Sequence, residues 1–221
     1  MSSPPSLALV MLSDGKVFCP AALVSAGSVV ATASCGLLLN IKTTYAYLGI
    51  TDWSRQLADE VIQVSSIVVN EVYNSTTLDN NIAIFFLKGD SRMSPASLPN
   101  VATDLSSLSA FSWMVDLHAS SSKLMHYLDV LYKPSGAFPN GTVNVQSVGE
   151  GDPGAYSVVF SSDGTVIGIT YFDASVMPQG GMLLLEVFED WINNASKSGG
   201  TSGSGPVSAK APSEIPVAEG E

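Results

Sequence analysis

Residues Phe18–Cys35 read FCPAALVSAGSVVATASC. Cys19 stands near the start of the stretch and Cys35 ends it, and the chain has 2 cysteines in all. β-branched and small apolar residues fill both halves, with Ser25-Ala26-Gly27-Ser28 between them. That arrangement predicts two short strands joined by a turn. A disulfide between Cys19 and Cys35 would staple this hairpin-like unit and stabilise it by roughly 3 kcal/mol, the chain-entropy value for a loop of this size.

The same rhythm continues outward. Short apolar runs recur at Leu7–Leu12, Ala21–Val24, Val29–Ala33, Tyr45–Leu48, Val61–Val69, Ile82–Leu87, Val143–Val145, Val158–Phe160, Val166–Tyr171 and Met182–Leu185, punctuated by Gly, Asn, Asp, Ser and Pro. Many short strands at this spacing predict an all-β barrel or sandwich. One helix is expected, over Leu184–Asn194, where Leu184, Val187, Phe188, Trp191 and Ile192 fall on one face. From Lys197 the chain turns rich in Ser, Gly, Pro and Ala and has no aromatic residue. Such a composition buries too little apolar surface to order itself, so residues 197–221 are expected to be a disordered tail.

The Phe18–Cys35 stretch resembles the segment around the catalytic histidine of chymotrypsin/trypsin-like serine proteases, FCGGSLIS…WVVTAAHC. Phe18, Cys19, Leu23, Ser25, Val29, Val30, Ala33 and Cys35 match without a gap. The resemblance implies two six-stranded antiparallel β-barrels with a C-terminal helix, where Asp190-Trp191-Ile192 resembles the family's ending. It extends over about Ser6–Ala195, so residues 1–196 read as one trypsin-like pseudoprotease domain ahead of the tail.

Peptide hydrolysis by this family needs a hydroxyl nucleophile, an imidazole to take its proton and a carboxylate to orient the imidazole. Backbone N–H groups must also face the oxyanion. In the resemblance the histidine falls on Ser34, whose hydroxyl is no general base near neutrality. Leu78-Asp79-Asn80-Asn81-Ile82-Ala83 resembles D-N-D-I-A-L and sets Asn81 at the aspartate. Asp79, two residues earlier, would share a strand face with Asn81. Gly149-Glu150-Gly151-Asp152-Pro153-Gly154 resembles C-Q-G-D-S-G-G and sets Pro153 at the serine. Proline brings neither a hydroxyl nor a backbone N–H. Ser34, Asn81 and Pro153 are therefore expected to be degenerate triad positions, and the chain is expected not to be an enzyme.

Other departures point the same way. The base of the specificity pocket falls near Ser147, and the cysteines that brace that pocket are missing. No Ile-Val-Gly-Gly-like new N-terminus is present to pair with Asp152. Phe111-Ser112-Trp113 matches the family's Gly-Trp-Gly only weakly. A different triad would have to draw on His118, His126, Asp116, Asp129 and Ser120–Ser122, residue types that mostly sit on solvated loops. No metal is expected, because two histidines and a bonded cysteine pair form no recognised ligand spacing. No cofactor is expected either, since Gly149-x-Gly151 precedes no helix that would hold phosphate.

Net charge is −11, with 9 basic against 20 acidic residues and no basic cluster. Nucleic acid and anionic membrane surfaces are thereby disfavoured as partners. No apolar run is long enough to span a bilayer. MSSPPSLALVML lacks a basic n-region, and its short apolar run Leu7–Leu12 reads as a strand and not a signal peptide. A secreted protein shorn of its leader is nevertheless expected. The cysteine pair agrees with secretion. So do three Asn-x-Ser/Thr sequons, at Asn74, Asn140 and Asn194, as glycosylation candidates.

Within the resembled family, members without an intact triad include the glucanase-inhibitor proteins that oomycete plant pathogens secrete as virulence effectors. That resemblance implies a binding protein whose partner is a secreted glycoside hydrolase, an endoglucanase. The alternatives are a regulatory decoy acting on a protease in a proteolytic or immune cascade, and a hydrolase with an atypical site.

Overall fold

We describe a computed structural model of the 221-residue chain. The structure describes residues 4–13, 18–49, 58–100, 107–112, 126–133, 141–147, 157–173 and 177–198.

The first six strands are β1 (Leu7–Leu12), β2 (Phe18–Ser25), β3 (Ser28–Ala31), β4 (Thr44–Leu48), β5 (Glu60–Val69) and β6 (Ala83–Leu87). They close into a barrel in the order β1-β2-β3-β6-β5-β4, with every pairing antiparallel. β1 is buried on both faces, which explains its unbroken apolar run. Ala8 and Val10 join Ala21, Ala31, Ala46, Ala83 and Phe85 in one cluster, while Leu7, Leu9 and Met11 face another. Small residues suit the interior of so narrow a barrel.

The second six are β7 (Leu108–Ser112), β8 (His126–Lys133), β9 (Thr142–Ser147), β10 (Ser157–Ser161), β11 (Val166–Asp173) and β12 (Met177–Leu184). They close in the order β10-β11-β12-β9-β8-β7. Leu108, Ala110, Val159, Ile167, Met182 and Leu184 form a separate cluster from this barrel. The largest cluster joins the two barrels, packing Leu9, Val30 and Ile84 of the first with Phe111, Phe160 and Tyr171 of the second. Phe111 meets Phe160 edge to face at 5.8 Å between ring centres. The connecting segment bonds to both sides: Ala96 N–H donates to Leu23 O at 2.8 Å and Val166 N–H donates to Ser97 O at 3.0 Å.

The trypsin-like two-barrel expectation holds, with differences at the edges. β3 stops at Ala31, because Ala33 already opens the short helix α1 (Ala33–Gly36). β12 begins at Met177 and claims Leu184, so the expected helix starts later than its apolar face indicated. A 3-10 turn over Leu185–Phe188 leads into α2 (Glu189–Ser198). α2 takes in Lys197 and Ser198, which composition assigns to the tail; residues 199–221 lie outside the described residues. β7 and β8 were absent from the expected strands. β7 has mostly small residues, and Asp129 interrupts the apolar pattern of β8.

Candidate functional site

The turn at Ala26-Gly27 reverses β2 into β3, and β3 delivers the chain to α1. The Cys19–Cys35 disulfide ties α1 back to β2. Ser34 is thus fixed between a strand end and a covalent cross-link.

Asn81 meets it from the loop before β6. Asn81 is fully buried, and Ser34 is half-buried. The Ser34 N–H donates to Asn81 Oδ1 at 2.8 Å, and Asn81 Nδ2 donates to Ser34 Oγ at 3.1 Å. The main-chain oxygen of Asn81 also accepts from Ala33 N–H at 3.3 Å. One side-chain amide therefore satisfies an orphan N–H at the start of α1 and a neighbouring hydroxyl. Neither group of this pair titrates near neutrality, so the pair transfers no proton there.

Asp79 does not share a strand face with Asn81. The segment before β6 is a looped turn in which Leu78 and Asn80 take φ of 61° and 56°. Alternation therefore fails here. The Asp79 carboxylate instead accepts from Thr77 Oγ1 at 2.7 Å.

Next to α1 in the chain, Leu37, Leu38 and Ile41 are exposed, at 43%, 65% and 42%. Sequence reasoning did not single them out, although the run Leu37-Leu38-Leu39 directly after the second cysteine could have drawn attention.

A family model described as Trypsin matches residues 2–122, more than half of the chain. The chain belongs to the trypsin family. No curated protein matches it. Among solved structures, the Vibrio cholerae VesB protease is similar at 18% identity and a TM-score of 0.72, over 87% of this chain and 64% of that one. The trypsin-family chain thus spans less than two thirds of the VesB chain. The scabies mite inactivated protease paralogue S-I1 is similar at 18% identity and a TM-score of 0.69, over 87% of this chain and 95% of that one.

The remaining expected residues of this trypsin-family chain fall as follows. Pro153 and Asp152 lie outside the described residues, as do Asp116, His118 and Ser120–Ser122. His126 and Asp129 are on β8, opposite Ser112 and Ser109 of β7, and not on a solvated loop. Ser147 ends β9, opposite Val130. Asn74 is exposed in the turn before β6, Asn194 is exposed on α2, and Asn140 lies outside the described residues. Among the described residues, no group of three or more His, Cys, Asp or Glu could hold a metal ion. No helix among them is long and apolar enough to cross a membrane.

Two carboxylates outside this site are strongly engaged. Glu60, at the start of β5, accepts from Ser91 Oγ at 2.5 Å and from Arg92 Nε at 2.8 Å. The Ser91 hydroxyl, then the Arg92 contacts, hold its carboxyl below the usual range. Asp163, in the β10–β11 turn, is lowered by the Ser161 hydroxyl and then by Thr165 N–H. Both tie loop backbone together, Glu60 through Arg92 N–H and Asp163 through Thr165 N–H.

Proposed function

We propose that this trypsin-family chain is a secreted, catalytically inactive protein that works by binding another protein, with a secreted glycoside hydrolase of the endoglucanase class as its target. The observation that carries the reading is the Ser34–Asn81 pair. These residues stand where the resemblance sets the catalytic histidine and aspartate, and they answer each other's hydrogen bonds without an imidazole or a carboxylate.

Four further observations support it. Pro153 stands in the sequence where the resemblance sets the nucleophile. The disulfide and the fold are compatible with an extracellular protein. The exposed Leu37, Leu38 and Ile41, beside Ser34 in the chain, give apolar contact area of the kind binding surfaces use. The scabies mite inactivated protease paralogue S-I1 has a similar fold.

The test is to mix the purified chain with a panel of endoglucanases. A stoichiometric complex on size exclusion, with matching loss of glucanase activity, is the expected result. Unaltered activity and no complex across the panel would remove the hydrolase target. Capture of protease zymogens in a parallel arm would assign the partner to a proteolytic cascade instead.

A further inference from the structure

The two described sequons sit in different backbone. Asn74-Ser75-Thr76 lies in an exposed turn. There Asn74 Oδ1 accepts from Thr76 N–H at 2.9 Å and from Thr77 N–H at 3.3 Å. Its main chain closes the turn as well: Leu78 N–H donates to Asn74 O at 2.7 Å, and Asn74 N–H donates to Asp79 O at 3.0 Å. The side chain is therefore held through its oxygen alone, and no bond from Nδ2 occurs among the described residues. Val72, Ser75, Thr76 and Thr77 around it are exposed.

Asn194-Ala195-Ser196 is wound into α2. Its Ser196 hydroxyl accepts from Ser28 Oγ of the first barrel at 3.4 Å, and Trp191 on the same helix donates to Glu71 at 3.0 Å. That sequon belongs to a packed junction.

We propose that Asn74 is the N-glycosylated residue of this pair and that its sugar stands at the edge of the Ser34–Asn81 site. This rests on the reading of the chain as secreted. The donor is an oligosaccharide linked to a lipid diphosphate. A bond forms from Nδ2 to the anomeric carbon, the bond from that carbon to the diphosphate oxygen breaks, and the lipid diphosphate leaves with the electron pair. Nδ2 gives up one proton and the amide carbonyl stays intact, so both bonds to Asn74 Oδ1 survive the modification. The turn is thus already built to carry the linkage. The Asn74 N–H donates to Asp79 O, and Asp79 is two residues from Asn81. At 3.8 Å per Cα step the Asn74 and Asn81 backbones are therefore within about 14 Å of each other. A branched sugar covers such a distance.

The experiment is secretion of the full chain from a glycosylating eukaryotic line, followed by amide glycosidase release in heavy-oxygen water and peptide mass spectrometry. Most molecules are expected to carry the heavy-oxygen mark at residue 74, at higher occupancy than at residue 194. Thr76→Ala keeps the Thr76 N–H that bonds Asn74 and is expected to lose the mark while keeping the melting midpoint. A secreted chain with bare Asn74, or with Asn194 the more occupied, would overturn the proposal. Labelling of the deglycosylated protein by a serine-directed fluorophosphonate would instead overturn the inactive reading and leave the glycan assignment standing.

Discussion

Ser34 and Asn81, 47 residues apart, bond each other twice: Ser34 N–H to Asn81 Oδ1 at 2.8 Å and Asn81 Nδ2 to Ser34 Oγ at 3.1 Å. Asn81→Ala removes both partners and strands a half-buried N–H. The expected loss is about 1–3 kcal/mol, the cost of leaving such a group unsatisfied. Urea unfolding of the variant measures it, and an unchanged midpoint would mean the pair contributes nothing. Asn81→Asp is expected to lose less, because its carboxylate still accepts from the N–H and the serine hydroxyl can turn to donate.

The Cys19–Cys35 bridge closes a loop of separation 16 that contains the β2–β3 turn. The Cys19→Ser/Cys35→Ser double variant is expected to lose roughly 3 kcal/mol. Denaturant midpoints of the oxidised wild type and the variant give the comparison. A loss that reaches only Ser34 exchange protection, and not global stability, would show that the bridge serves the site alone.

Gly168 pairs with Leu184 across β11 and β12. A Cβ there would overlap the Leu183 carbonyl oxygen and the Met182 side chain. Backbone cannot swing aside as a flexible side chain does, so Gly168→Ala is expected to cost about 1–3 kcal/mol or more through overpacking. Gly164→Ala in the β10–β11 turn meets no neighbour but must hold φ of 86°, and is expected to suffer from backbone strain alone. Thermal melts of the two variants separate the mechanisms.

Much of this was legible in the sequence. Phe18–Cys35 carries its strands, its turn and its cross-link in consecutive residues, so local pattern and fold agree. The first barrel followed, because β1 and β6 are apolar on every residue. The second barrel was harder. The small residues of β7 and the charged interruption in β8 leave little period to detect, and their pairing only exists once β9 and β10 close the ring. At the site, the partnership of Asn81 with Ser34 came from aligned motifs, whereas the position of Asp79 did not. Its error arose from treating residues 79–81 as strand. Leu78 and Asn80 take left-handed φ there, and nothing about a leucine announces that.

Acid should weaken the protein through Glu60 and Asp163, whose carboxyls are both held below their ordinary values. A carboxyl lowered by folding contributes stability that is complete above its unfolded value and lost as pH falls through its folded one. Stability is therefore expected to decline as pH drops below about 4.5, the ordinary Glu value. Glu60→Gln, which keeps one acceptor for Ser91, is expected to lower stability at pH 7 and to flatten that decline. Equal slopes in wild type and variant between pH 5 and pH 2, the range about the reference carboxylate values, would exclude Glu60 from the acid response.

An active trypsin-family enzyme must present a hydroxyl that attacks an electrophile, and a serine-directed fluorophosphonate reports that hydroxyl without any knowledge of substrate. Incubated with the folded, disulfide-bonded chain beside an active serine protease, the reagent is expected to label the protease and leave this chain unmodified by intact mass. Stoichiometric, heat-sensitive labelling of one residue of this chain would contradict the inactive reading outright.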